Sequence, residues 1–133
     1  MAAVNPFPMV ESAVRELIET EYPAAAGRVG GDLRHEAGDG LYVWIGLVSG
    51  GSANQIEGDW VLDIDVFDDH YGLAMTHALA LGALLIGPRH VTSVMRLDNC
   101  YQNVGPAERP WDEEGVFRIG ATYVFTARRP TSG

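Results

Sequence analysis

Polar and apolar residues alternate from Asp59 to Phe67, and this pattern predicts the strand around which the chain is organised. Successive side chains of a β-strand point to opposite faces, so the strand has one apolar face and one mostly acidic face. The apolar face consists of Trp60, Leu62, Ile64 and Val66, and the other face of Asp59, Val61, Asp63 and Asp65.

A helix is predicted directly after this strand, because apolar residues recur there every three or four positions. Asp68 or Asp69 is expected to cap its first turn with a carboxylate. Gly87 is expected to end it in a left-handed conformation, and Pro88 cannot continue it. The predicted buried stripe is Tyr71, Ala74, Met75, Ala78, Leu79, Gly82, Leu85 and Ile86.

Another helix is predicted near the beginning of the chain, starting at Asn5-Pro6-Phe7-Pro8 and ending near Glu21, before Pro23. Its apolar positions are Val10, Val14, Leu17 and Ile18. The further strands expected from the pattern are a weak edge segment at 28–34, an internal strand at 41–48, a strand at 90–97 and an alternating strand at 116–128.

These elements predict an α+β fold, in which a mixed, mostly antiparallel sheet of four to five strands packs against two helices. The short Gly-rich link at 49–55 favours antiparallel pairing of the strands on either side of it. The strand–helix–strand segment from Asp59 onwards would form a right-handed crossover if its two strands were parallel neighbours. Residues 99–114 show no periodicity and are predicted to form a long binding or assembly loop.

Composition limits the classes of protein that fit. At 133 residues the chain is expected to form a single domain, 1–133, with a core of its own. No apolar run is long enough for a membrane span, and no signal peptide is visible. The net charge of −9 argues against nucleic-acid binding, and the lone Cys100 excludes an internal disulfide.

Candidate chemistry is sparse. Asp63 and Asp65 share a strand face and, with Asp68, could hold a divalent cation. The alternative is that this face meets solvent or a neighbouring subunit, and it is favoured because neither a phosphate-binding loop nor further ligands are apparent. The histidines lack the spacing of metal ligands, and nothing in the sequence positions a base beside Cys100. The sequence therefore predicts no catalytic site, no metal site and no cofactor.

An acidic cluster, Asp112, Glu113 and Glu114, directly follows Trp111 in a segment framed by prolines. An exposed aromatic residue beside such a cluster is typical of a contact surface between proteins. The alternative is that Trp111 folds back onto its own domain. The sequence leaves both possibilities open.

Three segments, in this order, resemble the tail terminator proteins of bacteriophages with long, non-contractile tails. They are the helix 9–18 followed by Arg28-Val29-Gly30, the strand 59–67 leading into an Ala-rich helix, and the strand 118–128 preceded by a Pro-Trp loop. The resemblance extends over nearly the whole chain and consists of element order and residue character. The Gly-rich link at 49–55 departs from the family.

The resemblance implies a virion structural protein of the head–tail junction, assembled in the host cytoplasm, and neither an enzyme nor a cofactor-binding protein. Such proteins form a hexameric ring that caps the tail tube protein, ends tail polymerisation and offers the interface for a head-completion or connector protein. DNA would pass through the lumen without specific binding. Candidate residues for a subunit interface or the lumen are Asp63, Asp65, Trp111, Asp112, Glu113 and Glu114.

Besides a generic binding module with Trp111 as its anchor, two alternatives remain. The first is another head–tail connector, such as a head-closure or neck protein, which would bind the portal or adaptor in preference to the tube. The second is a small α+β enzyme that uses the carboxylates of Asp63, Asp65 and Asp68 with a divalent cation.

Overall fold

The computed structural model describes residues 9–33, 35–49, 57–87 and 89–128 and has the expected α+β architecture. Six strands form one sheet, so the sheet is larger than the four to five strands predicted. The elements are α1 (Met9–Glu21), a 3₁₀ turn (Pro23–Ala25), β1 (Val29–Gly30), β2 (Tyr42–Ser49), β3 (Glu57–Asp68), α2 (Tyr71–Leu85), β4 (His90–Val91), β5 (Arg96–Arg109) and β6 (Phe117–Arg128).

The strand order is β1-β2-β3-β6-β5-β4, with β3 and β6 in the centre. β1 pairs with β2 in parallel, and every other neighbouring pair is antiparallel. The predicted antiparallel pair of β2 and β3 is confirmed, with Val43 opposite Val66. Of the described residues in the weak segment at 28–34, Val29 and Gly30 form a strand, which lies at the edge of the sheet as expected.

The strand predicted at 90–97 is wrong in its extent. Only His90 and Val91 form β4, and a turn follows in which the Thr92 hydroxyl accepts hydrogen bonds from the backbone N–H groups of Val94 and Met95. β4 lies three positions from β3 in the sheet and runs in the opposite direction. The two strands are therefore not parallel neighbours, and the condition for a simple crossover is not met.

The long loop predicted at 99–114 is also wrong, because β5 continues to Arg109. Its pairing with β6 shifts register three times, between Leu97 and Asn99, between Gln102 and Val104, and between Val104 and Ala107. Each irregularity resets the alternation of side chains, so a strand with several of them shows no clear period in its sequence. Only the segment 110–116 connects the two strands.

The apolar face of β3 is confirmed as the centre of the core, since Trp60, Leu62, Ile64 and Val66 are all buried. Residues of both helices belong to the same buried cluster, together with Ile119, Ala121, Tyr123 and Phe125 of β6. The end predicted for the first helix is confirmed at Glu21. The start predicted for it at 5–8 lies outside the described residues.

The helix α2 begins and ends close to the expected positions, but its predicted caps are wrong. Neither aspartate caps it: the Asp68 carboxylate accepts from the His70 backbone N–H (3.2 Å), and Asp69 accepts from the backbone N–H groups of Gly38 and Gly40. At the other end the helix stops because Ile86 is extended, whereas Gly87 forms a bridge with Cys100.

The predicted buried stripe of α2 is right in part. Ala74, Ala78, Gly82 and Leu85 are buried, and Leu81 is buried as well. Tyr71, Leu79 and Ile86 were expected in the core but are 46%, 57% and 46% exposed. No helix in the described ranges is long and apolar enough to span a membrane.

Candidate functional site

The polar face of β3 lies opposite the apolar core, and β6 supplies its partners. Asp59 pairs with Thr126, Asp63 with Thr122 and Asp65 with Gly120, all on neighbouring strands. The threonine hydroxyls donate to the aspartates, at 2.7 Å from Thr126 to Asp59 and 2.6 Å from Thr122 to Asp63. Alternation along two antiparallel strands therefore produces a ladder of cross-strand hydrogen bonds.

Asp65 is fully buried on this face and is held by two arginines. Arg118 of β6 donates from Nε to Asp65 Oδ2 (2.6 Å), and Arg109 of β5 donates from Nη1 to Asp65 Oδ1 (2.9 Å). Burial raises the pKa of the Asp65 carboxyl, and the hydrogen bond and charges of the two arginines oppose that rise. The three charges thus tie the three strands β3, β6 and β5 together.

Arg109 extends the network to a second carboxylate. Its Nη1 lies 3.3 Å from Asp63 Oδ1, and its Nη2 donates to the Thr122 hydroxyl at 3.3 Å. The side chains of Asp63 and Arg109 are each 25% exposed, so the network reaches the surface there. The structure brings Asp63 and Asp65 together as predicted for one strand face, but Asp63 Oδ1 and both oxygens of Asp65 already have protein donors.

The network needs a residue without a side chain at position 120. A Cβ atom built on Gly120 would lie 2.5 Å from Asp65 Oδ1 and closer still to the side chain of Arg109. Contacts this short do not occur between ordinary side chains, so a larger residue would displace the ion pairs.

Arg118 is also surrounded by aromatic rings. Its Cζ lies 5.6 Å from the ring centroids of Trp44 and Phe67 and 5.7 Å from that of Trp111. At these distances the rings attract the guanidinium by cation–π interaction, and the attraction is stronger where the group is shielded from water. The rings and Asp65 together fix the position of this arginine.

Trp111 folds back onto its own domain, which was one of the two possibilities left open by the sequence. Its indole Nε1–H donates to the backbone carbonyl of His35 (3.2 Å). Its ring packs edge-on against the ring of Phe67, with 4.8 Å between the two ring centroids. It therefore closes one end of the polar face. Asp112, Glu113 and Glu114 are exposed in the same connection between β5 and β6.

Arg109 and Arg118 are the site residues that the sequence did not single out. Alternation along β6 placed Arg118 and Thr122 on the polar side of that strand, and this was a usable signal for pairing with the acidic face of β3. Arg109 gives no such signal, because the sequence predicts a loop where its strand lies.

The described residues contain no group of three or more His, Cys, Asp or Glu side chains that could hold a metal ion. Cys100 is buried, and burial raises the pKa of its thiol to about 12, so it is not an activated nucleophile. The Nδ1 atom of His77 is hydrogen-bonded to the hydroxyl of Tyr22. The hydrogen bonds and ion pairs of the polar face hold β3, β6 and β5 together.

A separate groove of about 450 Å³ lies between α1 and the β1–β2 edge. Its lining includes Glu11, Arg15 and Asp32, and burial raises the pKa of the Glu11 carboxyl. None of its lining residues belongs to the Asp65 network.

No protein-family profile and no curated protein sequence matches the chain. Among solved structures, the chain is similar to a protein chain in the virion of a native gene transfer agent particle. The TM-score is 0.67 at 18% sequence identity, and the alignment covers 90% of this chain and 94% of the other. At this identity the likeness shows a shared fold over nearly the full length of both chains.

Proposed function

We propose that the protein is a structural component of a phage-like virion and acts as its tail terminator. The observation that carries this proposal is the shared fold with a chain of the gene transfer agent virion, aligned over 90% of this chain and 94% of that one. The order of helices and strands that resembles tail terminators supports the more specific role.

The chemistry of the polar face is consistent with a structural role. The carboxylates that a divalent cation would require are occupied by Arg109, Arg118 and Thr122. Such a network rigidifies the middle of the sheet, and a rigid sheet suits a subunit that must hold a defined shape under load.

In the proposed mechanism, copies of the chain form a hexameric ring on the end of the tail tube. One face of the ring has the same docking surface as a tube subunit and therefore binds the end of the tube. The other face has no such docking surface, so no further tube subunit can bind and polymerisation stops. The second face then binds the head-completion or connector protein. A head-to-tail contact that closes on itself produces such a ring from a single type of subunit.

Acidic side chains have a role in this proposal. Asp112, Glu113 and Glu114 are exposed on the β5–β6 connection and, together with Asp63, face the lumen or a neighbouring subunit. Negative lumen walls repel the phosphates of DNA, which passes without binding. Asp65 and Trp111 act from within the subunit by holding this face in shape.

The test is polymerisation of purified tail tube protein of the same phage in the presence of increasing amounts of this protein. We expect shorter tubes, each with a ring at one end in electron micrographs. Binding to portal or adaptor rings with no effect on tube length would replace the terminator role by that of a head-closure or neck protein. Unchanged tubes without binding to either partner would exclude both roles.

The role of the acidic residues has its own test. A variant with Asp112→Asn, Glu113→Gln and Glu114→Gln is expected to form rings but to slow DNA ejection from the assembled particle. Normal ejection from a particle carrying this variant would show that the three residues do not line the lumen. The matched control is Glu36→Gln, which neutralises an exposed carboxylate elsewhere on the surface.

A further inference from the structure

The outer edge of β2 is only partly covered by β1. β1 pairs with two residues of this strand, and from Ile45 to Ser49 no described residue pairs with the edge as a strand. The backbone N–H of Leu47 is instead accepted by the side-chain carboxylate of Glu11 on α1. Leu47 and Val48 are 40% and 57% exposed. An uncovered edge with exposed apolar side chains is a place where an extended segment of another chain can add.

The groove between α1 and the β1–β2 edge lies beside this uncovered edge. Its lining includes Ile45 of β2 and the glycines Gly30 and Gly31, which have no side chain that would block the approach of another backbone. Its volume of about 450 Å³ lies within the range of about 300–1,000 Å³ that is typical of ligand pockets. The groove therefore has room for a few residues of an extended chain and not for a folded domain.

The Glu11 carboxylate in this groove has no cation beside it. None of the ion pairs in the described part of the chain includes Glu11, and Arg15, which also lines the groove, is paired with Glu19 (2.9 Å). Burial raises the pKa of the Glu11 carboxyl, and the hydrogen bond from the Leu47 N–H opposes that rise. A partly buried carboxylate without a cation favours a partner segment that carries a positive charge.

The chain itself contains a segment with the required charge. Arg128 and Arg129 are the only two consecutive basic residues in the sequence, and Pro130 follows them. A residue before proline prefers an extended backbone, and proline is tolerated at the edge of a sheet. Residues 129–133 lie outside the described residues and follow directly on β6, which ends at Arg128.

Arg129 and the groove are far apart within one copy. Arg128 lies opposite Glu57 of β3, whereas Leu47 lies opposite Leu62 of the same strand. With about 3.4 Å per residue along a strand and about 4.8 Å between strands, Arg128 and Leu47 are roughly 20 Å apart. The Cα atom of Arg129 lies only about 3.8 Å from that of Arg128. Arg129 and the groove can therefore meet between two copies, in the head-to-tail kind of contact that closes a ring.

We propose that residues 129–133 of one copy lie along the β2 edge in the groove of the next copy, where Arg129 forms an ion pair with Glu11. This inference rests on the proposed ring and deepens it by naming the two different surfaces that close it. The added segment covers the exposed edge and neutralises the partly buried carboxylate. Each copy uses its groove for one neighbour and its segment 129–133 for the other.

The test exchanges the charges of the two surfaces. Glu11→Arg and Arg129→Glu each place like charges in the contact, whereas Arg89→Glu is the matched control, because Arg89 is exposed and does not line the groove. Mass is measured by light scattering and sedimentation over a range of concentrations, and circular dichroism checks that each variant folds. We expect self-association to weaken about tenfold or more for both groove-contact variants and to stay as in the wild type for Arg89→Glu.

Mixing the two variants gives a sharper result, because opposite charges then meet at every contact of an alternating ring. Glu11→Arg and Arg129→Glu in equal amounts are expected to form rings that neither forms alone. The chain that carries both changes is expected to assemble by itself. Glu11→Gln keeps an acceptor for the Leu47 N–H and replaces Glu11→Arg if that variant does not fold, with a smaller loss of association expected.

The outcomes separate this inference from the proposed function. Unchanged association in Arg129→Glu and Glu11→Gln would overturn the contact and leave the ring in place. An equal loss in Arg89→Glu would assign the effect to net charge and also overturn it. Rings that persist in Arg129→Glu, while Glu11→Gln no longer binds tail tubes, would assign the groove to the tube protein instead.

Two further outcomes concern the tail tube. A wild-type protein that stays monomeric at every concentration, yet shortens tail tubes, would overturn the contact between copies and leave the terminator role. Rings that respond to the charge exchange as expected, yet leave tail tubes at full length, would support the contact and overturn the terminator role.

Discussion

Arg118 Nε donates to Asp65 Oδ2 at 2.6 Å across the central strands β6 and β3, and the Asp65 side chain is fully buried. Three aromatic rings surround the same guanidinium. Removal of one partner from a buried ion pair leaves the other charge without compensation, and that costs more than the pair itself contributes. The sheet thus depends on a polar contact in its centre as well as on its apolar core.

Replacement of Arg118 by Met is expected to lower the free energy of unfolding by about 3–5 kcal/mol, because Asp65 then keeps only Arg109. The control is Arg15→Met, which removes an exposed pair with Glu19 and is expected to cost less than about 1 kcal/mol. Both are measured by urea denaturation at pH 7. Equal losses for the two variants would show that the buried network contributes no more than a surface pair.

Gly120→Ala is expected to destabilise the protein by about 1–3 kcal/mol, because its Cβ overlaps the Asp65–Arg109 contact. Gly72→Ala is the matched control, since a Cβ on Gly72 meets nothing within 4 Å in the first turn of α2. There the alanine is expected to stabilise the helix by roughly 0.5–1 kcal/mol. Thermal melting of both variants tests whether the melting temperature falls for Gly120→Ala and rises for Gly72→Ala. A lower melting temperature for Gly72→Ala would contradict this explanation.

Trp111→Ala is expected to destabilise the isolated subunit by about 2–4 kcal/mol, because Trp111 packs on Phe67 and hydrogen-bonds the carbonyl of His35. A residue that served only as an anchor for a partner would leave the stability of the subunit unchanged. Denaturation of the variant under conditions where the wild type is monomeric distinguishes the two. The control is Tyr101→Ala, an exposed aromatic residue on β5, with an expected loss below about 1 kcal/mol.

Stability is expected to fall above pH 9 because of Cys100. Burial raises the pKa of its thiol from 9.0 to about 12, so between these values the unfolded chain loses a proton that the folded chain keeps. Deprotonation then favours the unfolded state, and the free energy of unfolding falls by up to about 1.4 kcal/mol per pH unit. Urea melts between pH 8 and 10 should show a shallower fall for Cys100→Ala.

The burial of Tyr123 raises its pKa in the same direction, and this largest cause is common to the wild type and the Cys100→Ala variant. The charge of Cys100 adds to the rise at Tyr123, so the difference between the two slopes reports the thiol together with its effect on that tyrosine. Identical slopes would mean that the thiol is ionised as readily in the folded protein as in the unfolded chain.

Millimolar Mg²⁺ or Mn²⁺ is expected to leave the melting temperature unchanged, because arginine and threonine donors already bind Asp63 Oδ1 and both oxygens of Asp65. A cation bound only to the folded state would raise stability with its concentration. Stabilisation that appears in the wild type and disappears in Asp63→Asn would instead support the cation-dependent enzyme.

The sequence predicts those parts of the fold in which the hydrophobic period is regular. The burial of alternate residues in β3 and β6 and the end of α1 at Glu21 follow directly from their patterns. β5 was missed because three register shifts and the Gly105-Pro106 pair interrupt its alternation. The predicted cap of α2 was wrong because Asp69 binds the backbone of Gly38 and Gly40, far away in sequence.

The same limit applies to the site. The acidic face of β3 could be predicted from Asp63 and Asp65, but the arginines that neutralise it lie 44 and 53 positions from Asp65 along the chain. Spacing within one element carries no information about such distant partners. The sequence also does not predict which apolar residues of α2 face outwards, because a helix with few polar residues has no clear polar side.

The irregular pairing of β5 also affects how copies of the chain can meet. Within the described residues, β4 pairs only with Arg96 and Leu97, so the part of β5 beyond Cys100 forms an edge of the sheet. Register shifts and Pro106 distort that edge, and a distorted edge is a poor template for another strand. Extension of the sheet along this edge from one copy to the next, which would build an endless fibre, is thereby disfavoured, and the chain is protected from that route to aggregation.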